Sequence, residues 1–126
     1  MPDTLHTAIG GDAAIRRLVD RFYDHMDALA DAAPLRAMHP PDLAESRDKL
    51  YWFLSGWLGG PPLYVERKGH PRLRARHLPF TVDQAARDAW MRCMDLALAE
   101  VVADDSLRAR LSDALGQVAT HMMNRG

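Results

Sequence analysis

Six histidines are the first residues in this chain that could do chemistry. No two have the spacing of a helical metal-binding motif, and no cysteine cluster accompanies them. A single Cys93 rules out an internal disulfide and any multi-cysteine zinc site, and reads as a small buried hydrophobe. His6, His25 and His121 read as surface residues. His70 lies in a Gly-His-Pro turn, where a structural hydrogen bond is the plain reading. No phosphate loop and no Ser/His/Asp grouping emerges from the spacing.

His77 stands apart. It lies in Arg72-Leu73-Arg74-Ala75-Arg76-His77-Leu78-Pro79-Phe80, where three arginines alternate with small or apolar residues before one imidazole. A lone histidine between apolar neighbours is commonly a packed side chain. The flanks offer a second reading. Arg74 and Arg76 can pair with the carboxylates of a bound cofactor, and Leu73, Leu78 and Phe80 can pack on an apolar ring. A neutral imidazole so held is the usual proximal ligand of haem iron.

Three further side chains could act as polar tips in an apolar pocket. Tyr23 and Trp90 each sit on a helical apolar stripe, and His39 precedes Pro40-Pro41. A buried Tyr or Trp normally finds a partner for its polar end. That partner is either a backbone carbonyl, which makes them core residues, or a ligand in a shared pocket.

The elements that would position these residues are helical. Prolines and glycines divide the chain into stretches whose apolar residues recur at three and four. The first long helix is expected from about Asp12 to Leu29, with Asp12 as N-cap and Ile15, Leu18, Val19, Phe22, Met26 and Leu29 as its buried stripe. Leu35 to Met38 reads as one short turn. A second helix is expected from about Leu43 to Leu58, opened by an Asp42/Glu45 capping box and closed by Gly59-Gly60-Pro61-Pro62. Its stripe is Leu43, Leu50, Phe53, Leu54 and Trp57. Residues 59–71 read as a long structured loop. A short helical piece from Arg72 to His77 is stopped by Pro79. The third long helix runs from about Val82 to Val102, with Thr81 and Gln84 as its capping box. Asp104-Asp105 open the last, which reaches about Met123. No strand, repeat or low-complexity segment is apparent, and the expected class is all-α.

Composition sets the frame. At 126 residues and 14.1 kDa, residues 1–126 read as one domain, able to bury roughly two-thirds of its unfolded surface. Apolar residues at 48% and charged residues at 26% are ordinary for a globular protein. Sixteen basic residues against seventeen acidic ones leave a net charge of -1, which argues against general binding of nucleic acid or of an anionic membrane. No apolar run approaches the ~20 residues of a membrane span. The start of the chain, Met1 to His6, has neither a basic nor an apolar leader region, and a cytoplasmic location is expected.

Taken in order, several pieces of this chain resemble the truncated haemoglobins, specifically the second group, or O type. They are Gly10-Gly11, Phe22-Tyr23, Phe53-Leu54 with Trp57 and Gly59-Gly60-Pro61, Tyr64, Gly69-His70-Pro71-Arg72-Leu73-Arg74, Arg76-His77-Leu78-Pro79-Phe80, and Arg87-Asp88-Ala89-Trp90 with Cys93-Met94. Each is weak alone; their order and spacing over nearly the whole chain are specific. The resemblance implies a truncated globin, a two-over-two helical sandwich around haem b (iron protoporphyrin IX). It implies His77 as the iron's proximal ligand and Tyr23, His39 and Trp90 as the distal, catalytic set. Ser46 and Leu50 match positions facing the iron, and a small residue at Ser46 leaves an open distal route. Lys49 and Arg76 match positions near the haem propionates. Leu50, Phe53, Leu54, Trp57, Leu73 and Phe80 supply apolar walls.

The expected function is a haem-binding, oxygen-binding protein that takes O₂, NO, CO or peroxide. Donors at the ligand, each worth about 1.5–3 kcal/mol when charge-assisted, predict slow oxygen release. The resemblance implies peroxidase-like and NO-detoxifying chemistry as candidate activities, with an external reductase because a chain of this length has no room for a fused one. A non-enzymatic gas sensor or storage protein is the alternative, and a haem-free helical module with a packed His77 is the plainest reading. Group members often form homodimers.

Overall fold

The computed structural model describes residues 4–124, apart from the side chain of Arg74. The readings that fall on Met1 to Asp3 and on the Arg74 guanidinium lie outside the described residues. Within them the chain is helical, with no strand. Thr4 caps a first short helix, α1 (Leu5–Ile9), by accepting from the Thr7 amide. Gly10, at φ 118°, ends α1 and starts α2 (Gly11–Ala28) with no side-chain cap. The left-handed turn at Gly10 lets one residue serve both helices without the steric cost a side chain would bring. Asp12 is therefore not the N-cap; it lies in the first turn of α2 and its carboxylate takes a 2.8 Å hydrogen bond from His6 Nε2.

After a 3₁₀ turn at Ala30–Ala32 comes α3 (Ala33–Arg36), which begins earlier than expected because Pro34 sits in its first turn, where no amide hydrogen is needed. Next is α4 (Ala44–Trp57). Asp42 accepts from the Ala44 amide at 2.9 Å, so it closes an Asx turn before α4, and Glu45 pairs with Lys49 rather than completing a capping box. The stretch expected as a loop contains α5 (Leu63–Lys68), started by Pro61-Pro62, and is followed by α6 (Leu73–His77). Asp83 caps α7 (Gln84–Val101) by accepting from the Ala86 amide, in place of the Thr81/Gln84 box. Asp104 caps α8 (Asp105–His121) through the Leu107 amide, in line with the sequence.

The most extensive packing is α2 on α7, followed by α7 on α8 and α2 on α4. Ile15, Leu18, Phe22, Met26, Met94, Leu98, Leu111 and Leu115 are essentially fully buried at these contacts. Each such side chain contributes about 1.5–3 kcal/mol of burial. Cys93 is buried with them. No helix among the described residues is long and apolar enough to cross a membrane.

The outer seam between α2 and α7 is ionic. Arg21 and His25 both bond Glu100, at 3.0 and 2.7 Å. The Arg21 bond, more than that of His25, holds the Glu100 carboxyl down to about 2 from an ordinary 4.5. A depressed carboxyl stabilises the fold above its unfolded value and loses that contribution as pH falls toward its folded one. Glu100→Gln is therefore expected to lower the melting temperature slightly at neutral pH, since exposed pairs are worth little. The gap should close as pH falls from about 4.5 to about 2. Melting curves across that range check it; a gap that persists at the acid end would remove Glu100 from the seam's pH dependence.

Candidate functional site

The four longer helices and three short ones enclose a cavity of about 400 Å³. That volume suits a sizeable organic ligand. α2 contributes Tyr23, α4 contributes Ser46, Lys49, Leu50, Phe53 and Leu54, α6 contributes Leu73, Arg76 and His77, and α7 contributes Trp90. His39 and Phe80 enter from the connecting segments. Of the described residues that the sequence singled out for the wall, Trp57 and Leu78 stay off it. Trp57 is the last residue of α4, and the rise of ~1.5 Å per residue carries it past the residues that line the cavity, so that it packs against the core. Leu78, expected against an apolar ring, follows the last residue of α6 and is 57% exposed.

His77 is half-buried and its ring orientation is set. Its Nδ1 lies 2.6 Å from the Leu73 carbonyl. A carbonyl only accepts, so Nδ1 carries the proton and donates, and in the neutral ring Nε2 keeps a free lone pair. Histidine ligands usually have their other nitrogen held this way, which fixes the tautomer and raises basicity.

Tyr23 and Trp90 are positioned by one buried ring. Phe22 meets Tyr23 edge-on with centroids 4.9 Å apart and meets Trp90 at 5.0 Å. The Arg47 guanidinium lies 5.7 Å from the Tyr23 ring centroid and is itself tied to Asp20 and Asp24. Neither the Tyr23 hydroxyl nor the Trp90 indole N–H bonds a protein group, and no polar side-chain atom sealed from solvent lacks a partner among the described residues. Both tips are thus accessible, on side chains that line the cavity. The core reading, in which each would bond a backbone carbonyl, does not hold for either. Burial pushes the Tyr23 hydroxyl well above its ordinary value, so it remains protonated and a donor.

His39 differs from the donor expected at this position. Its Nδ1 donates to the Leu35 carbonyl at 3.0 Å, and its ring meets Tyr23 edge-on at 5.9 Å. Burial is the main cause that lowers its pKa, so the neutral ring dominates at neutral pH. With Nδ1–H committed to Leu35, the remaining Nε2 accepts. The cavity therefore combines two donors with one acceptor.

The polar rim is cationic. Lys49 pairs with Glu45 at 3.0 Å, and Arg76 donates from Nε to the Pro71 carbonyl at 2.7 Å while its guanidinium lies 5.9 Å from the Tyr64 ring centroid. His70 does serve the Gly-His-Pro turn: its Nδ1 accepts from the Arg72 amide at 3.0 Å.

Several wall residues went unremarked as such in the sequence. Val118, Ala119 and Met122 of the α8 end line the cavity, as do Leu35 and Met38. Helical spacing cannot say which residues of a stripe meet another helix and which meet a hole. Tyr64 is buried in the wall from α5, a helix concealed by the surrounding prolines and glycines.

These observations agree with the comparisons to known proteins. Residues 4–124 match the bacterial-like globin family. The chain is 42% identical over 115 residues to the group 2 truncated hemoglobin YjbI of Bacillus subtilis, spanning 91% of this chain and 85% of that protein. Its structure is similar to the cold-adapted truncated hemoglobin of Pseudoalteromonas haloplanktis, with TM-score 0.96 and 46% identity over 98% of this chain and 100% of that one. It is also similar to the group II 2-on-2 hemoglobin of Agrobacterium tumefaciens, with TM-score 0.95 and 46% identity over 99% and 97%. An all-α chain with these matches over nearly its full length belongs to the bacterial-like globins, as a group II truncated haemoglobin, a family that binds haem and small gaseous ligands.

Proposed function

We propose that this globin holds haem b through His77 and binds O₂ beside Tyr23 and Trp90, releasing it slowly enough for chemistry with NO or peroxide. The observation that carries this reading is the pairing of two protein-unpartnered donors, Tyr23 and Trp90, with the free Nε2 of His77 on the walls of one cavity. The residues present fit the cofactor. Leu50, Phe53, Leu54, Leu73 and Phe80 supply apolar contact for a flat ring, and Lys49 and Arg76 stand at the wall for its carboxylates. When bound, haem iron supplies an open coordination site for a diatomic ligand or peroxide and an electron to share with it. Tyr23 and Trp90 donate to charge that develops on the ligand. A Bacillus subtilis relative at 40% identity is described as an oxygen-avid truncated haemoglobin, which supports the same direction.

The acceptor character of His39 favours peroxide as a substrate. Its Nε2 can take a proton from a peroxide hydroxyl and return it to the departing oxygen, as a general base and then acid. Electrons for a cycle come from an external reductase. Visible spectra of the purified protein, as isolated, reduced, and then with O₂ or CO, test the haem reading. A haem band with a five-coordinate ferrous form that binds both gases is expected; no band after haem is supplied would sink it. His39→Phe is expected to keep that spectrum while peroxide turnover falls roughly a hundredfold or more, the usual worth of a positioned acid–base group. Unchanged turnover would leave gas sensing or storage as the function.

A further inference from the structure

The segment that carries His77 is weakly supported by its own helix. α6 has five residues, and starts at Arg72 with φ 47° and no side-chain cap. It takes no part in the main helix–helix packing. A helix this short is not stable alone. Yet the imidazole must sit at one height and tilt against whatever it binds.

The support comes from the far end of the fold. Asn124, just past α8, donates from Nδ2 to the His77 carbonyl at 3.2 Å and to the Phe80 carbonyl at 2.9 Å. Its Oδ1 accepts from the Val82 amide at 2.9 Å, and its own amide donates to the Val82 carbonyl at 2.9 Å. One side chain thus uses both ends of its amide to close the turn 77–82. The Met122 side chain, two residues earlier, lines the same cavity. α8 therefore supplies part of the wall and also the pin.

We propose that Asn124 is a positioning residue for His77, fixing the turn that carries the proximal imidazole to the end of α8 and so setting its height and tilt toward the haem. The inference rests on the haem reading above. It goes beyond that reading because Asn124 lies 47 residues from His77 and bonds its main-chain carbonyl.

Asn124→Asp is the discriminating variant. Aspartate keeps the shape and the oxygen that accepts from Val82, and the main-chain bond to Val82 survives. It lacks the N–H groups for the His77 and Phe80 carbonyls and sets a carboxylate against them. Asn124→Ala removes the side-chain bonds to His77, Phe80 and Val82 together, and circular dichroism reports whether each variant is folded. The readouts are the iron–histidine stretching band in the resonance Raman spectrum of the ferrous holoprotein, and the rate of haem loss to excess apomyoglobin.

Asp is expected to shift or broaden the band and to release haem roughly ten- to a hundredfold faster, the usual cost of losing an outer-shell partner of a metal ligand. Ala is expected to do the same wherever it folds. A wild-type band and wild-type release in Asp overturn the inference: if Ala alone is disturbed, the residue only closes the Val82 turn. A wild-type protein that takes up no haem overturns the haem reading and this inference with it, and that is seen before any variant is compared.

Discussion

His77→Ala is expected to give a folded protein that no longer holds haem in its native coordination. The fold should survive because the His77 side chain is only half-buried, and its one hydrogen bond is to Leu73 within its own short helix. The core under it is built from α2, α7 and α8. The cofactor should not survive in place. Nε2 is the one ring nitrogen of His77 with a free lone pair, and its axial bond is expected to be the main directional tie. Losing a ligand itself should exceed the ~10–100-fold in affinity that losing an outer-shell partner costs. Haem content per chain, and the ferrous absorption band before and after adding free imidazole, are the measurements. Imidazole should restore a five-coordinate band by filling the space the side chain left. Unchanged haem content without imidazole would mean that another group is the ligand. His39 would then be first in line, since its imidazole shares the cavity.

The second large effect is expected on oxygen release. Tyr23→Phe removes only a hydroxyl, and leaves the edge contact of that ring with Phe22 available. A hydrogen bond to a partly charged oxygen is worth about 1.5–3 kcal/mol. Its loss should speed O₂ dissociation roughly ten- to a hundredfold. Trp90→Phe should act in the same direction. The double variant should fall short of the product of the two, because both donors serve one ligand and neighbouring effects do not add. Carbon monoxide gathers little charge when bound and should respond much less. Because burial keeps the Tyr23 hydroxyl protonated, the wild-type rate should be flat across neutral pH. Stopped-flow release rates for both gases decide the matter. Equal O₂ rates in wild type and both variants would show that neither donor reaches the ligand.

These two results divide along a line that runs through the whole protein. The residues they test were all legible in the sequence. Phe22-Tyr23 falls on a stripe of period 3.6, and Trp90 falls on another. His77 announces itself by its basic and apolar flanks. The four long helices were legible for the same reason: apolar spacing and the Asp104 cap act within a few residues. Local errors had local causes. Gly10 replaced Asp12 as the cap because a left-handed glycine can join two helices directly, and nothing in the hydrophobic pattern marks α1. α5 reads as loop in the sequence because six residues between Pro61-Pro62 and Gly69 are too few to show a period.

What the sequence by itself determined was the inventory: an all-α chain, an imidazole with basic and apolar flanks, and polar tips on apolar stripes. Only the tertiary structure decided how those groups behave. It turned the His39 ring so that Leu35 takes its one proton, which makes an acceptor of an expected donor. It left the tips of Tyr23 and Trp90 without protein partners. It carried Trp57 past the cavity rim, and it brought Asn124 back to His77 across 47 residues. The physical reason is range. Helix periodicity and capping are set by neighbours in the chain, whereas the partner of a hydrogen-bonding group and the wall of a cavity are set by whichever distant side chains the packed helices bring together.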